Sequence, residues 1–512
     1  MDILTTLAEV FTILFDAHSL FILALGVTFG VIVGVLPGMG PLLGVVLAIP
    51  FTFYLDPLPS ISLLIGIFIG GNYGGAISST LLGIPGTPQA AVTLLDGYPM
   101  ALKGKSSEAI SISLFSSFTG TFISAIMLII ISPMLASFAL NFGPAETAAL
   151  ALLGLTGIAS LSEGSTTKGI LAGLLGLILA TIGNDPLIST ERFTFGYVEL
   201  QGGVSEVALM MGIFAVSELI IQLESPKRAS QSLGKVGIQI SGLTTMLRHK
   251  LCLIRSSIIG VLVGVIPGVG GVTAGFMSYK VAKDFSKEPE KFGKGSDEGI
   301  VASEASNSAL GGGAMIPMLA LGIPGDPTTA AMMGGMLIQG LNPGPRLFVT
   351  DSAIVNSIFG AFLMGALILL PVGFFLGPIF VKLLKVRYAT LLATVLILCS
   401  VGTYLVQSYT LDLWQLWIFG VLGYLMRKAD IPLSPLAIGF VLGPVFEVNL
   451  RRTSMLAGDG YSEYLMGQPI TLTILTLTVV AIVYPMVRTL SKMKKAKTET
   501  ETKTKTETVT QS

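Results

Sequence analysis

The chain has 512 residues, of which 52% are hydrophobic and only 12% charged, with a mean hydropathy of +0.81. A soluble domain carries about 25% charged residues, so half that number cannot cover a surface facing water, and the chain must be solvated by lipid. Thirty basic and thirty acidic residues cancel, and the bases sit in loops and in the tail, which leaves no nucleic-acid footprint. Two cysteines, Cys252 and Cys399, and two histidines, His18 and His249, are too few and too scattered for a disulfide framework, a zinc site or a Ser-His hydrolase. No cofactor and no structural metal site are expected.

At about 20 residues per crossing, the apolar content allows about ten to thirteen crossings, and roughly ten to fourteen spans and re-entrant segments are expected in all. The fold class expected is an all-α polytopic membrane protein with broken helices. The opening MDILTTLAEVFTILFD lacks a basic leader and runs into the first apolar stretch, 20–36, which stops at Pro37-Gly38. A second stretch, 42–54, follows this break. The next, 61–82, contains the run Gly70-Gly71-Asn72-Tyr73-Gly74-Gly75. Asp96–Glu108 reads as a polar loop, and further apolar stretches cover about 110–140, 147–161, 169–183 and 207–223. The basic segment 224–256 reads as a linker between a first repeat, 1–223, and a second, 257–490. The Lys/Thr/Glu tail, 491–512, is expected to be disordered.

Those repeats are written into the sequence. GVIVGVLPGMG at 30–40 returns as GVLVGVIPGVG at 260–270, an offset of 230. LGIPGTP at 82–88 returns as LGIPGDP at 321–327, an offset of 239. The helix breaks Pro37, Gly38 and Gly40 therefore pair with Pro267, Gly268 and Gly270. The loop after the first break, 52–60, has no Lys or Arg, while its counterpart has Lys280, Lys283, Lys287, Lys291 and Lys294. Because Lys and Arg stay cytoplasmic, equivalent loops face opposite sides, which favours inverted topology.

Paired helix breaks in two halves of a membrane protein point to a transport site. Backbone freed by Pro and Gly cannot face lipid, and a half-helix N-terminus suits a carboxylate. The candidate substrate and ion ligands are the polar and small residues at these breaks. In the first half they are Asn72, Tyr73, Gly74, Gly75, Ser78, Ser79, Pro85, Gly86, Thr87 and Pro88. In the second they are Glu304, Ser306, Asn307, Ser308, Pro324, Gly325, Asp326 and Thr328. Glu304 is an intramembrane acid, expensive unless functional; with Asn307 it is the candidate seat for a coupling Na⁺ or H⁺, against a reading as a loop-end carboxylate. Asp326 either caps the next half-helix or touches the ion. No base lies in either break, so an anion would be held by dipoles, hydroxyls and amides and not by an arginine clamp.

Two decoys fail. Lys103-Gly104-Lys105-Ser106 would need glycine at Pro99 to be a phosphate loop, and Gly325-Asp326 would need glycine at Ile323 to be an aspartyl intramembrane protease. No nucleophile–base set appears, so the chain is not expected to be an enzyme.

GVLPGMG (34–40), NYGGAISSTLLGIPGTPQAAVTLLDGYPMALKGK (72–105), RFTFG (192–196), MGIFAVSEL (211–219), EASNSALGGGAMIPMLALGIPG (304–325) and GLNPGP (340–345) together resemble the large membrane subunit of tripartite tricarboxylate transporters. The likeness covers about residues 20–490. It departs at Ser308, where the family usually has a second asparagine, and at Asp326, where a small residue is usual. The resemblance implies a secondary transporter of the cytoplasmic membrane, driven by a proton or sodium gradient. It implies two partners, a small four-helix membrane subunit and an extracytoplasmic solute-binding protein that delivers a carboxylate. A stand-alone carboxylate transporter and a passive channel are the alternatives.

Overall fold

The computed structural model describes residues 16–36, 38–161, 166–224, 237, 239–267, 270–383 and 388–481. Pro37, Gly268, part of the 224–256 segment and the tail lie outside them. The described chain is helical apart from a two-residue hairpin pairing Gly183–Asn184 with Glu191–Arg192. Six of its helices are long and apolar enough to cross a membrane.

The first half runs α1 (Ala17–Val35), α2 (Gly40–Thr52), α3 (Pro57–Leu82), α4 (Ala91–Leu102) and α5 (Ser106–Ala139). After it come α6 (Pro144–Leu161), α7 (Thr166–Ala180) and α8 (Glu206–Glu224), the last with a π-helical stretch at Met211–Val216. The second half opens with α9 (Lys250–Val265), α10 (Gly270–Phe285), α11 (Asp297–Leu321) and α12 (Pro327–Ile338). It continues with α13 (Ser352–Leu383), α14 (Tyr388–Gln407), α15 (Thr410–Lys428) and α16 (Leu433–Ala457). Within 224–256 a short helix, Ser241–Arg248, precedes α9.

Local chemistry sets the breaks. α1 stops two residues before Pro37 and α9 two before Pro267, since a proline disfavours the helical conformation in the residue ahead of it. α3 and α11 both end on a left-handed glycine, Gly83 (φ 65°) and Gly322 (φ 70°), 239 residues apart. α2 and α10 both begin at a positive-φ glycine, Gly40 and Gly270.

The two halves repeat these breaks in three dimensions. α1 packs along α3 as α9 packs along α11. A Cβ on Gly30 would lie 2.8 Å from the Ile67 Cα, and one on the equivalent Gly260 would lie 3.0 Å from the Ser306 carbonyl carbon. Ile67 and Ser306 are themselves 239 positions apart. Such backbone-to-backbone approach is why small residues recur here.

Asp96, read from sequence as loop, is buried inside α4. It accepts hydrogen bonds from Tyr279 Oη and from the Gly295 and Ser296 N–H groups, at 2.7, 2.8 and 2.8 Å. Its partners are nearly 200 residues away, so no local pattern marked it. The two cysteines are free and buried.

The 181–205 loop is held by an ion cluster. Asp185 accepts from Arg451 at 2.5 Å, and Arg192 reaches Glu447 at 2.5 Å and Asp185 at 3.4 Å. The Arg451 hydrogen bond, with N–H donors from Leu187 and Ile188, lowers Asp185 to about 2 from its ordinary 3.8. A depressed carboxyl stabilises the fold above its unfolded value and ceases to as pH falls from about 4 toward 2. Thermal unfolding in detergent should therefore lose midpoint temperature over that window, and Asp185→Asn should lower the midpoint at pH 7 while flattening the acid limb.

Candidate functional site

Four half-helices begin at the breaks, and all four N-termini line one cavity of about 1050 Å³. Its walls are Gly38–Leu43 at the start of α2, Pro85–Gln89 ahead of α4, Gly270–Thr273 at the start of α10 and Gly325–Thr328 at the start of α12. The half-helices associate in two parallel pairs, each drawing one member from each half. In one pair, Gln339 Nε2 after α12 donates to the Thr52 carbonyl of α2 at 2.5 Å. In the other, Gly275 of α10 abuts Val92 of α4, and Tyr279 bonds Asp96 one turn further on.

The pairs leave the cavity in opposite directions. α2 runs back along α3, with Pro41 against Gly71 and Gly44 against Ile67. α4 instead follows α3 onward, with Gly97 beside Thr80 and the Tyr98 ring over Gly83.

The break loops are packed without slack. Gly86 lies on Gly75 and on the Gly34 carbonyl; Gly325 lies on Ala314 and on the Gly264 carbonyl. A Cβ at 325 would come within 2.6 Å of the Ala314 Cα and 2.8 Å of the Gly264 oxygen. Asp326 is a helix cap. Its Oδ1 accepts from the Thr329 N–H at 2.7 Å, and the Thr329 hydroxyl closes a reciprocal box by accepting from the Asp326 N–H at 3.0 Å.

Of the sequence candidates, Pro85, Gly86, Thr87, Pro88, Gly325, Asp326 and Thr328 line the cavity, with the break glycines Gly38, Gly40 and Gly270. Asn72, Tyr73, Gly74, Gly75, Ser78 and Ser79 are buried on α3 behind it, Gly75 against the Thr87 side chain. Pro324 and Pro267 are not in the lining; Pro37 and Gly268 lie outside the described residues.

Glu304, Ser306, Asn307 and Ser308 also stand apart from the cavity, in a polar seam where α11 meets α3, α4 and α5. Glu304 is wholly buried in mid-helix and not at a loop end; it accepts from the Thr93 hydroxyl and, at 2.9 Å, from Ser117. Asn307 Nδ2 lies 3.5 Å from the Asn72 carbonyl. Around them Tyr73 Oη, Thr80 Oγ1, Ser306 Oγ, Asn307 Oδ1 and Ser308 Oγ are buried without hydrogen-bond partners.

Sequence reasoning missed the cavity's charged rim. Lys168, Glu218, Arg427 and Asp430 line it, arriving on α7, on α8 and at the end of α15. Arg427 is bonded to Glu218, and Lys168 Nζ donates to the Ala429 carbonyl at 2.6 Å. Bases thus reach the site after all, from elements that carry no break motif. The only available signal was the MGIFAVSEL run, which contains Glu218.

Interrupted helices that converge on a cavity, within a chain of membrane-crossing length and hydropathy, define a multi-pass transport protein. The sequence profile of the Tripartite tricarboxylate transporter TctA family matches residues 20–438, and the chain belongs to that family. It is 34% identical over 439 residues to an Agrobacterium vitis protein described as an uncharacterized 52.8 kDa protein in the TAR-I ttuC' 3' region, covering 86% of this chain and 87% of that protein. A second Agrobacterium vitis protein, from the TAR-II ttuC' 3' region, is 35% identical over 224 residues, covering 44% of this chain and 92% of its own length.

Removing the Asp326 cap should cost about 1 kcal/mol of stability. Asp326→Ala should lower the unfolding temperature in detergent, whereas Asp326→Asn, which can still accept from Thr329 N–H, should stay close to the parent.

Proposed function

We propose that this chain is the permease subunit of a secondary-active, binding-protein-dependent uptake system for di- or tricarboxylates in the cytoplasmic membrane, working by alternating access. The observation that carries this reading is the meeting of four helix N-termini on one cavity. Each terminus contributes the positive end of its dipole, roughly half a positive charge, offset in part at α12 by the Asp326 cap, and together they suit a carboxylate. Lys168 at the rim adds a further cation.

The reading includes two inverted repeats. Equivalent half-helices leave the cavity in opposite directions, α2 against α10 and α4 against α12. The end of α4 carries Lys103 and Lys105 and that of α10 the lysines from 280 to 294, whereas no Lys or Arg follows α2 through residue 60 and only Arg346 follows α12 before α13. Placed by charge, the first pair of ends is cytoplasmic and the second faces outward.

The coupling cation is assigned to the seam around Glu304 and Asn307. A buried carboxylate among unpartnered oxygens offers the hard oxygen ligands that Na⁺ prefers, or a protonation site. The system also requires the small membrane subunit and a solute-binding protein that the family name implies.

Uptake of labelled di- and tricarboxylates into proteoliposomes containing this chain, the small subunit and the binding protein tests the reading. Asn72→Ala and Asn307→Ala should each lower uptake at least tenfold with normal membrane insertion. Lys168→Ala should raise the half-saturating concentration severalfold. Collapse of the ion gradient should abolish accumulation; flux that persists at full rate would make the protein a channel.

A further inference from the structure

A second cavity, of about 500 Å³, lies where α2 and α12 end. Five helices connect it to the first. α2 and α12 begin at the first cavity and finish at the second, next to Phe53 and Ile338. α7 runs from Lys168 to Ala180, α8 from Glu218 back to Glu206, and α16 from Leu433 to Glu447, each with its first-named residue at the first cavity and its last at the second. Two chambers share one set of walls.

Glu206, at the start of α8, lines the second chamber. Its Oε1 is sealed from solvent and has no hydrogen-bond partner. It is not the cap of its own helix: Ser205 Oγ does that, accepting from the Ala208 N–H at 3.3 Å. The carboxyl group rests on Gly334 of α12, where a Cβ would stand 2.8 Å from the carboxyl carbon.

The neighbouring charges do not compensate it. Arg192 faces the same chamber but is engaged by Glu447 through two hydrogen bonds, at 2.5 and 3.3 Å. Asp412, buried on α15, which packs on the same turn of α8, adds a second acid. The other helices against that turn, α2, α12 and α14, bring no Asp, Glu, Lys, Arg or His. A half-buried carboxylate with one sealed, unpartnered oxygen and no compensating charge is costly while ionised, and it repels any carboxylate that passes. Both penalties vanish on protonation.

We propose that the second cavity is the outward mouth of the solute path and that Glu206 is its proton-binding residue, a step that rests on the carboxylate-uptake reading. An O–H bond forms on Glu206 as one breaks in hydronium, with no redox change. The neutral acid admits the anionic solute, and the ionised form bars it. The π-helical turns at 211–216 lie between Glu206 and the Glu218–Arg427 pair at the first cavity, and such turns recur at functional sites.

The test uses the reconstituted full complex. Dicyclohexylcarbodiimide modifies protonated carboxyl groups in apolar surroundings, and peptide mass spectrometry reads the site. Glu206 should be modified at least fivefold more at pH 5.5 than at pH 8. Uptake by the parent should fall severalfold over the same rise in external pH, while Glu206→Gln should transport with less than twofold variation. Gly334→Ala, which presses on the carboxyl group without removing it, should shift the midpoint of the parent profile. Absence of modification at every pH, or a Glu206→Gln profile that overlays the parent, overturns the proposal. A parent complex that moves no carboxylate would instead defeat the uptake reading, and the modification would still judge Glu206.

Discussion

Backbone that leaves a helix inside a bilayer must find its hydrogen-bond partners within the protein. Four such departures occur here, at 36–40, 83–90, 266–270 and 322–326, and much of the interior follows from accommodating them. The interruptions at 83–90 and 322–326 are buried by laying them on another backbone, which demands glycine at the points of closest approach. Gly86 on the Gly34 carbonyl and Gly325 on the Gly264 carbonyl are two copies of one solution. The starts of the half-helices meet at a shared cavity, one of them capped by Asp326. Four helix-dipole N-termini therefore share one cavity.

The same constraint explains the two kinds of polar chemistry in the interior. Where chain ends meet water, polar groups line a cavity and are partnered by capping, as Asp326 is by Thr329. Where intact helices pack, they form the Glu304 seam, partly satisfied by Thr93 and Ser117 and partly left with free oxygens. The pairing of α2 with α12 and of α4 with α10 ties each wall of the cavity to both halves of the chain. A displacement of one pair against the other would alter the cavity without breaking any helix.

Much of this was legible in the sequence. The Pro-Gly and LGIPG repeats named all four interruptions, and seven of the eight candidates drawn from the LGIPGTP and LGIPGDP motifs and their flanks line the cavity. The polar-loop reading of Asp96 failed because its three hydrogen-bond donors come from residues 279, 295 and 296. No base lies within the break motifs, yet bases reach the cavity from other elements. Lys168 and Arg427 carry no motif, and their position depends on how α7 and α15 pack around the breaks.

By itself the sequence determined lipid solvation, the places where helices stop, and the recurrence of the break motifs. These are decided by composition and by effects that act within a few residues: a proline that lacks an N–H, a glycine that tolerates positive φ, an offset that can be counted. Only the tertiary structure decided that the four ends converge, which half-helices pair, and that Glu304 sits beside the cavity while Glu206 faces a second one. Those facts depend on contacts between residues a hundred or more positions apart, which no local pattern encodes.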